Sequence, residues 1–264
     1  MSEEVICKID HISKRFPGVL ALDKVSFDVK KGEVHAVVGE NGAGKSTLMN
    51  ILSGVYHADE GKIQWDGKVT LFHQPKEAQQ AGIAMIHQEL SLSPHMTAME
   101  NVFEGRMPKT KMGLIDRKKM FDDCRRCLER LGVSHINPKT LVKNLSISEM
   151  QLLEISKAIS LSARLLIMDE PTSALSAGET ALLHKIVDNL RKEGVAILYI
   201  SHKLGEIMAI ADRITVFRDG RHIATRPKTE MSEQEMIHLM VGRDFDQEAH
   251  RRFITDYGGQ KACA

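Results

Sequence analysis

Short, nearly continuous runs of apolar residues recur along the chain, and stretches with helical spacing of apolar positions lie between them. Continuous apolar runs of this length are typical of strands buried on both faces of a sheet. The predicted strands are residues 6–12, 25–29, 34–39, 165–169, 196–201 and 214–218. Helical spacing predicts helices at residues 180–192 and 203–211. Strands that alternate with helices in this way indicate an α/β fold around a largely parallel sheet.

The middle of the chain differs, because residues 97–157 show helical spacing without a strand pattern between the helices. We therefore expect a helical lobe, at about residues 90–157, inserted into the α/β core. Near the end of the chain, residues 232–241 have the pattern of an amphipathic helix. Ser232 and Glu235 have the spacing of a capping box at its start.

The pattern predicts one domain over residues 1–243. The last stretch, residues 244–264, is polar and has no periodicity, so we expect it to form a poorly ordered tail.

The 264 residues are 42% hydrophobic and 27% charged, with a formal net charge of +1. This balance is ordinary for a globular protein and gives no electrostatic reason to expect nucleic acid as a partner. No run of about 18 apolar residues occurs, so no transmembrane helix is predicted. The acidic, polar start from Met1 to Glu4 is unlike a secretory leader, and we expect a cytosolic protein.

Two of the four cysteines, Cys124 and Cys127, form a C-x-x-C pattern that would suit a metal or a redox site. They lie within a helical pattern at residues 116–131, and the sequence offers no second pair of cysteines or histidines to complete a zinc site. We interpret them as structural cysteines.

A glycine-rich loop follows the predicted strand at residues 34–39 and precedes a helical pattern, which is the context that a phosphate-binding loop needs. Its sequence matches G-x-x-x-x-G-K-[ST]. The loop consists of Gly39, Glu40, Asn41, Gly42, Ala43, Gly44, Lys45, Ser46 and Thr47. Glycines let successive backbone N–H groups approach phosphates, while Lys45 supplies positive charge and Ser46 a hydroxyl ligand for Mg²⁺. We predict that this loop binds ATP or a related nucleotide with Mg²⁺.

Two adjacent carboxylates, Asp169 and Glu170, end the apolar strand at residues 165–169. A strand can also end in a solvated acidic turn, but the phosphate-binding loop earlier in the chain favours a catalytic interpretation. Asp169 can then reach the Mg²⁺ held by Ser46, and Glu170 can orient or deprotonate the attacking water.

Further motifs, in the order in which they occur, resemble those of the ABC ATPases. Gln88 resembles the Q-loop glutamine, and His202 resembles the switch histidine of that family. Ser146 begins the segment that corresponds to the L-S-G-G-Q signature, and Phe16 occupies the place of the aromatic residue that stacks on adenine. The resemblance spans about residues 6–243.

The resemblance implies a fold and a set of partners. Family members have a P-loop α/β core with an N-terminal antiparallel β part and an inserted helical lobe. In family members, the residues that correspond to Ser46, Gln88 and Asp169 contact Mg²⁺. The serine that corresponds to Ser146 contacts the ATP bound by a second cassette. The chain resembles the first cassette of bacterial importers of ribose and galactose. This implies transmembrane permease subunits, a sugar-binding protein outside the membrane, and a location on the inner face of the membrane.

The signature departs from the family pattern, because Ile147 and Ser148 replace its two glycines and Glu149 replaces its glutamine. Side chains at the glycine positions hinder close backbone approach to a phosphate. Ser146 and Glu149 also have capping-box spacing, and Ser176 replaces the aspartate that is usual in the D-loop. We expect a weak signature that needs a second cassette with intact glycines, although a homodimer stays open. A regulatory ATP-binding half-cassette and an ABC ATPase outside transport are the alternatives.

Overall fold

The computed structural model describes residues 4–88 and 90–242, so the predicted tail at residues 244–264 lies outside the described part. The strands are β1 (Val5–Phe16), β2 (Val19–Lys30), β3 (Val34–Val38), β4 (Glu60–Trp65), β5 (Lys68–Thr70), β6 (Ile83–Ile86), β7 (Leu165–Asp169), β8 (Ala196–Ile200), β9 (Arg213–Arg218) and β10 (Arg221–Pro227). The α-helices are α1 (Lys45–Leu52), α2 (Pro75–Ala81), α3 (Ala98–Val102), α4 (Arg117–Arg130), α5 (Ile147–Ser160), α6 (Ala177–Lys192), α7 (Leu204–Ile210) and α8 (Glu233–Val241). Short 3₁₀ helices occur at Val142–Asn144 and Lys228–Glu230.

A six-stranded sheet, in the order β10-β9-β3-β8-β7-β6, forms the centre of the molecule. Its neighbouring strands are parallel except for β10, which pairs antiparallel with β9. The register places Val37 beside Ile200, and Ile200 beside Asp169. The carboxyl ends of β3, β7 and β8 therefore meet at one edge of the sheet, and the loops that follow them are neighbours.

The second sheet is antiparallel, in the order β2-β1-β4-β5. It packs with α1 and α2 in one hydrophobic core, while α3 to α8 belong to the other core. Alternate residues of β3 enter different cores, because Val37 belongs to the first and Val38 to the second. The central sheet is thus buried on both faces, as its continuous apolar strands require.

The prediction of an α/β fold with a largely parallel sheet, an antiparallel β part and helices is confirmed. The predicted strands are all present, although β1 and β2 are longer than the apolar runs that predicted them. Three strands with polar residues, β4, β5 and β10, were not predicted, and neither was the short buried strand β6.

Between β6 and β7 the described chain contains three α-helices and two isolated β-bridges, but no strand. This agrees with the helical pattern of the predicted lobe, whose boundaries at about residues 90–157 stay a prediction. Within it, Cys124 is fully buried in α4, and burial raises the pKa of its thiol to about 12. No cluster of metal-ligating side chains occurs among the described residues. No helix in the described part is long and apolar enough to span a membrane.

The predicted capping box of α8 is only half formed. The Ser232 hydroxyl accepts a hydrogen bond from the backbone N–H of Glu235 at 3.2 Å. The Glu235 carboxylate pairs with the Arg226 guanidinium instead of returning to Ser232. A charged partner from β10 has therefore displaced the second bond of the box.

Candidate nucleotide-binding site

The phosphate-binding loop connects β3 to α1, and its outer glycines are required by close backbone packing. A Cβ on Gly39 would lie 2.5 Å from the Phe217 carbonyl oxygen. A Cβ on Gly44 would lie 2.5 Å from the carbonyl oxygen of Ala21, and Gly44 also has a φ of +95°. Gly42, in contrast, has no atom within 4 Å of its Cβ position, so the middle of the loop faces open space.

Lys45 is the first residue of α1, and its side chain turns back over the loop. The ammonium group donates hydrogen bonds to the carbonyl oxygens of Gly39 at 2.7 Å and Glu40 at 2.9 Å. Burial lowers the pKa of Lys45, while the negative charges of Glu170 and Asp169 oppose that shift. The loop thus holds a buried ammonium group at Lys45 and leaves open space at Gly42.

Ser46 and Asp169 meet at the ends of α1 and β7. The Ser46 hydroxyl donates to Oδ2 of Asp169 over 3.3 Å. Burial raises the pKa of Asp169, whereas the Ser46 hydroxyl and the Lys45 charge lower it. A hydroxyl and a carboxylate at this separation are oxygen donors of the kind that Mg²⁺ prefers.

Glu170 and His202 form a second pair at the same edge of the sheet. Oε2 of Glu170 lies 2.8 Å from Nδ1 of His202, close enough for an ion pair although the two groups lack the alignment of a hydrogen bond. Glu170 has a φ of +50°, and its backbone N–H donates to the carbonyl oxygen of Ile200 at 3.0 Å. Such a φ is strained for a residue with a side chain, and strain of this kind is often found at functional sites.

Gln88 and Phe16 are the two remaining residues predicted for this site in the same part of the chain as the loop and β6. Gln88 is exposed in the loop after β6, next to His87, which opposes the rise that burial causes in the pKa of Asp169. Phe16 ends β1 and packs edge-on against Tyr56 with ring centroids 5.3 Å apart. Tyr56, which is 38% exposed, was not singled out in the sequence because it lies 40 residues from Phe16 in a loop without a motif.

Ser146 caps the start of α5, and the capping box predicted there is formed. The Glu149 carboxylate accepts hydrogen bonds from the Ser146 N–H at 2.8 Å and the Ser146 hydroxyl at 2.9 Å. No hydrogen bond among the described residues joins Ser146 to Lys45 or to Asp169. The structure therefore brings the loop, Asp169, Glu170 and His202 together but leaves Ser146 apart from them.

Two of the residues that depart from the family pattern, Ser148 and Ser176, form hydrogen bonds to the same carboxylate. The Ser176 hydroxyl donates to Glu179 over 2.8 Å at the start of α6. Hydrogen bonds from Ser148 and from Ser176 lower the pKa of Glu179. The serine at a signature position and the serine of the D-loop are thus linked within one chain, which the sequence could not show.

Known proteins resemble this chain over most of its length. The family model described as ABC transporter matches residues 22–173. A galactose/methyl galactoside import ATP-binding protein of Clostridium tetani is 48% identical over 247 residues, covering 92% of this chain and 49% of that protein. An Agrobacterium fabrum protein named for ribose, galactose and methyl galactoside import is 50% identical over 242 residues, covering 92% of this chain and 48% of that protein. The chain spans about half the length of these relatives.

Solved structures resemble the fold as well. A nucleotide-free ATP-binding cassette from an ABC transporter superposes with a TM-score of 0.78 at 28% identity, covering 90% of this chain and 96% of that chain. An ATP-binding cassette of an ABC transporter in its ADP conformation gives a TM-score of 0.75 at 28% identity, covering 97% of this chain and 99% of that chain.

Proposed function

This chain belongs to the ABC transporter family of ATP-binding proteins, and we propose that it binds and hydrolyses ATP to drive import of a small sugar. The observation that carries the proposal is the convergence of the phosphate-binding loop with Asp169, Glu170 and His202 at one edge of the sheet. The relatives named for galactose and ribose import support the sugar as cargo.

The residues of the site fit a nucleotide with Mg²⁺. The loop has open space over Gly42 and a positive charge at Lys45, and its N–H groups precede α1, as phosphate binding requires. Ser46, Asp169 and Gln88 would hold Mg²⁺, which neutralises phosphate charge when bound. Phe16 would stack on the adenine. We assign the remaining loop residues, from Glu40 to Thr47, to the phosphates.

Glu170 and His202 are the residues that we assign to catalysis, together with Gln88. The Glu170 carboxylate can accept a hydrogen bond from the attacking water and so orient it. His202 lies 2.8 Å from that carboxylate and can hold its direction while the ring contacts the nucleotide. Their loops are fixed by neighbouring strands, so this pair is placed before substrate arrives.

The working assembly requires a second cassette, and we propose an unlike one. The Ser146 N–H and hydroxyl, which would face the partner's ATP, are both bonded to Glu149. A carboxylate at that helix start repels a phosphate and competes for the same donors. In a homodimer, each phosphate-binding loop would therefore face a signature that contacts ATP weakly. An unlike cassette with its glycines intact would instead offer a complete signature to the ATP bound by this chain.

The same observation favours one other function, a regulatory half-cassette that binds ATP and turns little of it over. Both functions place the chain at the inner face of the cytoplasmic membrane, beside permease subunits that receive sugar from a binding protein. In the importer, a partner cassette raises the ATP turnover of this chain, whereas in the regulatory half-cassette no partner does.

The first experiment measures Mg-ATP binding and ATP turnover by the purified chain across protein concentration, with Glu170→Gln as the control. We expect binding in both proteins, slow turnover in the wild type and none in the variant. A chain that fails to bind ATP would contradict the proposal. Robust turnover that rises steeply with chain concentration would show a working homodimer and refute the argument for an unlike partner.

A further inference from the structure

A carboxylate outside the predicted site connects the two loops that carry Glu170 and His202. Oε2 of Glu206, in α7, accepts a hydrogen bond from the Thr172 hydroxyl at 2.6 Å. Thr172 lies two residues after Glu170 in the loop that follows β7. The same Glu206 oxygen lies 3.5 Å from the hydroxyl of Ser201, the residue before His202. One side chain thus reaches the residues that flank both members of the pair.

A lysine closes this connection. The Lys203 ammonium lies 3.2 Å from Oε1 of Glu206 and donates to the carbonyl oxygen of Thr172 at 3.1 Å. The Lys203 backbone N–H donates to the Ser201 hydroxyl at 3.0 Å. Thr172, Ser201 and Lys203 therefore share one network. Glu206 accepts hydrogen bonds from the two hydroxyls and forms an ion pair with the lysine.

The network lies at the base of the site rather than in solvent. The Glu206 side chain is 14% exposed, and Thr172 and Ser201 are buried. The Tyr199 hydroxyl is buried close by, and the charge of Glu206 adds to the effect of burial in raising the Tyr199 pKa. A partly buried carboxylate with charge-assisted bonds is held firmly, because breaking those bonds would leave it poorly solvated.

The geometry points to Glu206 as a positioning residue for ATP hydrolysis: we propose that its bonds to Thr172 and Ser201 hold the Glu170 loop against the His202 loop. This inference rests on the proposed ATPase function and names a residue that supports it. Glu206 touches neither the nucleotide loop nor Asp169 in the described structure. Its loss should therefore change the rate of the chemical step more than the affinity for ATP.

The test compares single-turnover hydrolysis of γ-labelled ATP and Mg-ATP affinity in wild type, Glu206→Ala and Thr172→Val. Displacing a catalytic pair by about 1 Å lowers rates by roughly a hundredfold, so we expect the rate to fall between about tenfold and a hundredfold in both variants. The affinity should stay within about threefold, because the phosphate loop is unchanged. Thr172→Ser keeps the hydroxyl and should restore most of the rate.

Glu230→Gln is the matched control, since Glu230 is an exposed carboxylate outside the network, and it should behave as wild type. The double variant Thr172→Val with Glu206→Ala should lose no more than the worse single variant, because both changes break the same bond. Wild-type rates in Glu206→Ala, or losses that multiply in the double variant, would overturn the inference. A wild-type chain that does not bind Mg-ATP would instead overturn the proposed function.

Discussion

Gly44 shows at the scale of one residue why the glycines of this loop are not interchangeable. It combines a left-handed φ of +95° with a Cβ position 2.5 Å from the Ala21 carbonyl oxygen and 2.8 Å from Cδ2 of Leu22. Gly67, in the turn between β4 and β5, has a φ of +73° but open space at its Cβ position. A side chain at Gly67 would meet only the strain of the backbone conformation, whereas a side chain at Gly44 would also meet a steric clash.

We expect Gly67→Ala to lower the free energy of unfolding by about 1 kcal/mol, the cost of a left-handed conformation for a residue with a side chain. Gly44→Ala should lower it by roughly 3 kcal/mol, because the start of α1 must also move away from β2. Urea unfolding monitored by circular dichroism measures both. Equal losses would show that backbone conformation alone governs the Gly44 position.

The role of Glu206 could not be read from the sequence, because its contact with Thr172 joins residues 34 positions apart that share no motif. The loop from Gly39 to Thr47 and the Asp169–Glu170 pair could be predicted, since each is contiguous and follows a buried apolar strand. Functional residues that follow one another in the sequence can be recognised as a motif. A hydrogen bond between two loops, in contrast, depends on the register of β7 with β8.

The same limit applies to whole elements. Strands β3, β7 and β8 were predicted because nearly all their residues are buried and apolar. Strands β4 and β10 contain charged residues on their exposed positions, so their sequences lack both a continuous apolar run and a clean alternation. These strands form by pairing with β1 and β9, and that pairing cannot be seen in the sequence of either strand alone.

The start of α5 is the element on which the proposal of an unlike partner cassette depends. Its capping box stabilises the helix within this chain but occupies the donors that would contact a phosphate of the partner. In the proposed assembly, helix stability and the contact of Ser146 with the partner's ATP would therefore be in conflict.

Changing Ile147 and Ser148 to glycine and Glu149 to glutamine should remove that conflict. We expect this triple variant to raise the concentration-dependent ATP turnover of the chain at least about tenfold, because one charge-assisted contact to a phosphate contributes about 1.5–3 kcal/mol. Two glycines at the start of α5 should also lower stability by about 2 kcal/mol in total.

Glu100→Gln provides the control, because Glu100 forms a capping box of the same kind with Thr97 at the start of α3. It removes a similar charge from the lobe and should leave turnover unchanged. A triple variant that stays as slow as the wild type would show that the signature is not what limits the chain.

At the scale of the whole molecule, the proposed import function requires the cassette to pass movement to membrane subunits. The lobe exposes a short hairpin, residues 109–115, whose apolar side chains have no cover in the described structure: Met112 is 86% exposed, Leu114 66% and Ile115 47%. Arg106 anchors its base through hydrogen bonds to the carbonyl oxygens of Val102 and Ser160. Apolar side chains grouped at an exposed tip indicate a contact surface for another protein.

Within the proposed function this hairpin would contact a permease subunit, and we expect Met112→Asp with Leu114→Asp to abolish co-purification of the chain with co-expressed permease subunits. Placing carboxylates at two apolar contact positions removes buried area and adds charges that need solvation. Folding and Mg-ATP affinity should be unchanged, since both side chains are in solvent and lie outside the nucleotide site. Val69→Asp, at an exposed position of β5, is the control and should keep the complex. A double variant that still co-purifies would place the coupling surface elsewhere on the lobe, whereas loss of ATP binding would show that the hairpin supports the fold.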